Sequence, residues 1–377
     1  MDAAAGDDAV SERHELWIDR CKGALILLVV MGHVIGTGRY FGASDGVPWM
    51  NFTYRCIYAF HMPAFFLLAG VTWRTVASGR ARDFAAFVSK KARRLLVPYL
   101  VFGLASIVLY LLFASASYDA LRTADGYYAG KGSMSPGFCL KTLACASGWP
   151  NGQGFAYNSV LWFLPALFTL EIAYWIVDRF LPRRMPQLVV GIVALMLGWV
   201  VSHCGSFYLP WGIGRLPLNL VYFLIGRWFI PLSGVVVLSR PRRILSGLAL
   251  TACATLLGYF CWRAPNPWVC AFKIEWYLVY AGMAVAGALL CVAFARLFDA
   301  KVFASLGICS LGVMLMHKFI VMAGFKLAVV REMFACSVWT QTLSVLLLTA
   351  FAVVVSVAAT FVLRRWWPEV IGERRLR

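Results

Sequence analysis

Apolar runs, most of them about twenty residues long, follow one another along this chain, and short segments carrying most of its charge separate them. A helix rises 1.5 Å per residue, so a run of about 20 apolar residues matches the hydrocarbon thickness of a bilayer. Ten such runs can be read: 16–36, 52–73, 94–115, 158–180, 187–203, 216–237, 243–262, 276–297, 303–325 and 340–363. The fifth is short. Each run is continuously apolar, whereas barrel strands would alternate, so the predicted class is an all-α polytopic bundle of about ten transmembrane helices. The chain has 377 residues, 61% hydrophobic and 14% charged, and no polar stretch is long enough for a soluble domain. Residues 1–377 therefore read as a single membrane domain.

The net charge of +18 would suit nucleic acid if the basic residues shared one soluble face. They lie instead in short runs between apolar segments, as topology signals do, so no nucleic-acid partner is expected. After the second run come Arg74, Arg80, Arg82, Lys90, Lys91, Arg93 and Arg94, opposed only by Asp83. Arg183 and Arg184 follow the fourth, Arg240, Arg242 and Arg243 the sixth, and Arg296 and Lys301 the eighth. The segment 364–377 adds Arg364, Arg365, Arg374, Arg375 and Arg377. The first, fifth and seventh loops are poorer, with Arg39, Arg215, and Arg263 with Lys273. This alternation predicts that both termini are cytoplasmic, 1–15 as an N-terminal segment and 364–377 as a basic tail. An odd number of spans would break it.

The first fifteen residues are polar and mixed in charge, and no small-residue cleavage site follows the first apolar run, which reads as a retained span. The longest extracytoplasmic loop is expected at 116–157, rich in Gly, Ser and Tyr, a length common in functional loops. None of the eleven cysteines forms a CxxC pair. Cys21, Cys253, Cys291 and Cys309 fall within spans, where a small apolar packing role is the simple reading. Cys139 with Cys145, and Cys261 with Cys270, can pair only if their loops face an oxidising compartment. No cluster has metal-ligand spacing, so no metal is expected.

Ionisable residues inside a span are costly and mark function by default. The first span holds Asp19, Lys22 and His33. Lys22 and His33 are eleven residues apart, just over three turns, so they share one face about 16 Å apart along the axis. A cation near the cytoplasmic interface and a proton-transfer group deeper in suit a long ligand with an anionic head and a reactive tip. Lys22 alone also fits snorkelling to headgroups, and His33 alone fits a hydrogen-bonded packing role. Asp19 lies about 21 Å along the helix from His33, too far to orient it, and suits pairing with Lys22 or Arg20. His61 and His317 are two further intramembrane histidines for which packing competes with chemistry.

The stretch Asp19-x-x-Lys22-Gly23…Gly32-His33 resembles the first helix of the acyltransferase 3 family of bacterial membrane-bound O-acyltransferases. Phe60-His61-Met62-Pro63-Ala64-Phe65-Phe66-Leu67-Leu68-Ala69-Gly70 is similar to that family's second motif, with Ala69 where the family has Ser. Lys90-Lys91-Ala92-Arg93-Arg94-Leu95-Leu96-Val97-Pro98-Tyr99 is similar to its basic entry to the third helix. Weaker echoes are Leu161-Trp162-Phe163-Leu164, Gly226-Arg227 and Ser310-Leu311…His317.

The resemblance implies a multi-pass protein of the bacterial inner membrane. It would transfer an acyl group, usually acetyl, from cytoplasmic acetyl-CoA to a hydroxyl of a surface polysaccharide or lipid-linked glycan. His33 would be the catalytic residue, as general base or as covalent acyl carrier. Lys22, Lys91, Arg93 and Arg94 would bind the phosphates of acyl-CoA, helped by the N-terminal dipole of the third span. Asp19, His61, Trp162 and His317 are supporting candidates. Topology-setting charge is the competing account of the basic cluster. The competing function is a transporter or flippase of glycan or lipid precursors, whose His33 and Lys22 variants would lose flux without thioester consumption.

Overall fold

The computed structural model describes residues 2–40, 48–77, 83–122, 136–146, 155, 157–203, 209–231, 240–263 and 274–373. Every regular element among them is helical. The α-helices are α1 (Asp2–Tyr40), α2 (Pro48–Ala77), α3 (Phe84–Arg122), α4 (Pro136–Ala144), α5 (Phe163–Phe180), α6 (Arg184–His203) and α7 (Leu216–Phe229), continuing with α8 (Arg240–Arg263), α9 (Ile274–Leu297), α10 (Lys301–Ile308), α11 (Ser310–Gly324), α12 (Ala328–Ala335) and α13 (Val338–Trp366). Short 3-10 turns lie at Ser159–Trp162, Pro210–Arg215 and Pro368–Ile371.

Among the described residues, eight helices are long and apolar enough to cross a bilayer, so the chain is a multi-pass membrane protein. Helices α10 and α11, bent by 80° where they meet, would make a ninth span. The run read at 216–237 gives only the 14-residue α7 within the described residues, about 21 Å long. By length it falls short of a full crossing, and 232–237 lie outside the described residues. The helix starts at Leu216, where the apolar run starts, and what ends it early is Ile230, which turns extended ahead of Pro231.

Side-chain contacts sort the helix ends into two groups. A basal end gathers the start of the membrane segment of α1 with the residues just past α9, through Arg20 and Asp299. It also holds the end of α2 with the end of α5, through Trp73 and Asp178, 3.2 Å apart. The distal end holds the close of α1 against the start of α2, with the Arg39 guanidinium 4.9 Å from the Tyr54 ring centre. Just beyond the end of α11, Lys326 donates to Tyr157, at 3.4 Å.

Helices α1 and α2 form the centre. In the apolar stretch of α2, 72% of residues are buried, against 11% in α8. Two glycine crossings make this possible. On α1 a side chain at Gly23 would strike the backbone carbonyl of Phe303, and on α10 one at Gly307 would strike that of Asp19. Gly70 of α2 and Gly226 of α7 meet the carbonyls of Phe223 and Leu67 in the same way. Lipid tails give helices no hydrophobic reason to associate, so close backbone approach through small residues supplies the packing. Outward faces stay apolar, as at Leu104, Val108 and Leu112 of α3 and Leu347, Phe351 and Val354 of α13.

The sharp bend at Cys309 frees carbonyls that a continuous helix would have used. Arg364 of α13 satisfies one of them, donating from Nη2 to Ile308 O at 2.8 Å, while its Nε meets both Glu373 oxygens at 2.9 and 3.0 Å. Within the segment 116–157, residues to Arg122 continue α3, and α4 packs back on α3. Tyr99, near the middle of the α3 span, donates to Leu143 O at 2.7 Å. Gly148, Gly152 and Gly154 of this segment lie outside the described residues, as does Cys270. Cys139, Cys145 and Cys261 are free thiols.

Candidate active site

The α1–α10 crossing fixes the basal part of α1. There Lys22 donates to Asp19 Oδ1 at 3.1 Å, one turn back, with both side chains part-exposed. Arg20 on the adjacent face pairs with Asp299. Lys22 is thus held at the mouth of the bundle, with solvent access left to it.

Lys91 sits differently. It is buried, forms an ion pair with Glu171 of α5, and lies 5.7 and 6.0 Å from the ring centres of Phe87 and Trp73. A buried ammonium needs a counter-charge, and Glu171 supplies it. Arg93 and Arg94, two and three residues on, are exposed, and no ion pair holds either among the described residues. The basic cluster divides by helical geometry: Lys91 faces the core and the two arginines face outward. Beside Glu171 a polar network knits α5, α6 and α7. Gln187 accepts from Tyr174 and Trp228, both at 2.7 Å, and donates to Asp178 at 3.1 Å.

Toward the distal end, α1, α2 and α11 bring three of the candidate residues together, His33, His61 and His317. His33 Nδ1 is 3.1 Å from Tyr58 Oη. The His33 and His317 rings are 5.3 Å apart. His61 lies one turn beyond Tyr58 on α2, its ring 4.9 Å from Tyr58's and nearly perpendicular. His61 and His317 each donate Nδ1–H to the carbonyl one turn back, Ile57 at 2.7 Å and Val313 at 2.8 Å. That fixes both tautomers and leaves each Nε2 with its lone pair. His317 Nε2 is buried with no hydrogen-bond partner. Beside them Thr37 donates to His33 O at 2.6 Å and accepts from Lys318 at 2.8 Å. The sequence-predicted histidines therefore converge around Tyr58. Trp162 does not join them: it ends a 3-10 turn, with the Arg215 guanidinium 4.9 Å from its ring centre. Among the described residues, no group of three or more His, Cys, Asp or Glu is placed to hold a metal.

A family model described as an acyltransferase domain, acyltransferase 3, matches residues 15–361. The chain belongs to the acyltransferase 3 family. It is also similar to two curated proteins, each named nodulation protein NolL, from Sinorhizobium fredii and Mesorhizobium japonicum. Both are 33% identical over 94 residues, which is 24% of this chain and 24% of each relative. The match thus spans about a quarter of those relatives. No solved structure matches the chain. As an acyltransferase 3 protein, the chain keeps its first-motif histidine, His33, inside the bundle beside the second-motif helix.

Three residues around this candidate site lie outside the motifs that the sequence offers. Glu171 and Lys318 were visible as lone charges inside apolar runs, the signal that drew attention to Lys22. Tyr58 had no such signal. Its role depends on how α1 and α2 turn toward each other, and spacing along one helix does not report that.

Proposed function

We propose that this acyltransferase is an O-acyltransferase of the bacterial inner membrane. It moves an acyl group, acetyl by preference, from cytoplasmic acyl-CoA to a hydroxyl of a surface polysaccharide or lipid-linked glycan. In this reading the chain crosses ten times, α7 making the short pass and the α10–α11 pair one broken pass, with both termini cytoplasmic. The basal end then faces the cytoplasm, in keeping with its excess of Arg and Lys.

The observation that carries the reading is the interior position of His33, with Tyr58 on Nδ1 and a cationic mouth about 16 Å below along α1. Lys22, Arg93 and Arg94 hold the phosphates of the donor at the mouth, the arginines in bidentate fashion. Lys91, neutralised by Glu171, contributes by fixing the start of α3. The pantetheine arm spans the distance to His33. With Nδ1–H donated to Tyr58, His33 Nε2 carries the lone pair and takes the proton from the acceptor hydroxyl. The acceptor oxygen attacks the thioester carbon, the C–S bond breaks, and the CoA thiolate leaves with the proton that His33 returns. Asp19, His61 and His317 position the donor and the imidazole, and Trp162 lies beside the entrance to α5.

The test is a map of O-acetyl groups on the surface glycans of a deletion strain, complemented with wild type or His33→Ala. The proposal expects one O-acetyl position to vanish on deletion and to return with wild type alone. Unchanged acetylation on deletion, or full restoration by His33→Ala, contradicts it.

A further inference from the structure

Lys318 stands apart from the other cations at the core of the bundle. Lys22 has Asp19 and Lys91 has Glu171. Lys318 is 8% exposed, lies inside the α11 segment, and pairs with no carboxylate among the described residues. Its hydrogen bond goes to a neutral hydroxyl, Thr37 Oγ1, at 2.8 Å. Thr37 in turn spends its proton on His33 O, at 2.6 Å. Glu332, on the distal helix α12, is exposed. An ammonium has three donors, and burying one without a counter-charge is among the costliest arrangements a membrane interior holds. The same bundle uses carboxylates for this purpose elsewhere, so a buried ammonium with no carboxylate partner among the described residues points to a ligand.

Position says which ligand. Thr37 is one turn beyond His33 on α1, whereas Lys22 lies eleven residues before it. Lys318 is therefore on the distal side of the imidazole, opposite the donor's cationic mouth. On that side Tyr54 stacks on Tyr58 with ring centres 4.1 Å apart, and Arg39 lies over Tyr54. Resting on the acyltransferase reading above, we propose that the acceptor is an anionic sugar, bearing a carboxylate or phosphate that pairs with Lys318 while its hydroxyl meets His33.

Purified protein is titrated with p-nitrophenyl β-glucuronide, p-nitrophenyl β-glucoside 6-phosphate and neutral p-nitrophenyl β-glucoside, and binding is followed by thermophoresis. Wild type is expected to favour at least one charged glycoside by about ten-fold, the scale of one charge-assisted hydrogen bond. Which one it favours separates carboxylate from phosphate. Lys318→Gln should erase the preference and Lys318→Arg should keep it. Equal binding of the three by wild type, absence of binding included, overturns the inference, as does a preference that survives in Lys318→Gln. Transfer kinetics give a second reading: Lys318→Gln should raise the acceptor KM with kcat little changed. A fall in kcat at constant KM would assign Lys318 to the acyl oxygen instead and overturn the proposal. Failure of wild type to release CoA from acetyl-CoA would sink the acyltransferase reading, and the binding result would stand apart from it.

Discussion

Removing Glu171 strands Lys91, and the size of the penalty follows from burial. The two side chains are 8% and 10% exposed, so solvent screens them little. Unit charges 4 Å apart interact by about 4 kcal/mol at an effective dielectric near 20. Breaking a buried pair costs about 3–5 kcal/mol, because the surviving charge is left in apolar surroundings. Glu171 Oε2 has no hydrogen-bond partner, so the pair is imperfectly satisfied, and replacing both members with Met should recover most of the loss. Reversible unfolding in mixed micelles of Lys91→Met, Glu171→Met and the double variant closes a double-mutant cycle. The expected coupling is at least about 2 kcal/mol, toward the upper part of the range for contacting residues. A coupling below about 0.5 kcal/mol would refute the structural role of the pair. So would a Lys91→Met protein of normal stability whose KM for acetyl-CoA alone has risen. Either result would return Lys91 to the donor site.

Further outcomes follow from the same contacts. Tyr58→Phe should lower kcat by about ten- to a hundred-fold, the scale of losing an orienting hydrogen bond to a catalytic base, with little change in melting temperature. Joint replacement of Arg93 and Arg94 by Gln should raise the KM for acetyl-CoA by about ten-fold or more and leave stability unaltered, as both side chains are exposed. Gly307→Ala should weaken the α1–α10 crossing and lower the thermal midpoint, because the added carbon meets a backbone carbonyl that cannot turn away. Gly282→Ala, with nothing within 4 Å, should be neutral or stabilise by up to about 1 kcal/mol through helix propensity.

Much of the bundle was legible in the sequence because the bilayer demands it. Length and continuous apolarity mark a span wherever the helix is straight, and α1, α2, α9 and α13 follow the predicted runs closely. The reading strained where backbone geometry interrupts apolarity. Nothing in the hydropathy of 303–325 signals the 80° bend at Cys309, which Arg364 stabilises from a helix far along the chain. Nor does the apolarity of the run at 216–237 show that α7 stops at Phe229, where Ile230 turns extended before Pro231. At the site, periodicity aligned Lys22 with His33 because both lie on one helix. It could not tell that Lys91 turns inward to Glu171 while its arginine neighbours turn out, since that choice depends on α5. The pairing of His33 with Tyr58 and the nearness of His317 likewise arise between helices.

The central claim is that one imidazole inside the bundle, that of His33, is reached by a donor from the basal side and an acceptor from the distal side. Proteoliposomes with protein in a single orientation, supplied with acetyl-CoA on one face and a glycan acceptor on the other, test it directly. The account predicts acetylated acceptor and matching CoA release only when acetyl-CoA is on the basal face, and neither with His33→Ala. Transfer at equal rates from either face, or undiminished CoA release by His33→Ala, would contradict it.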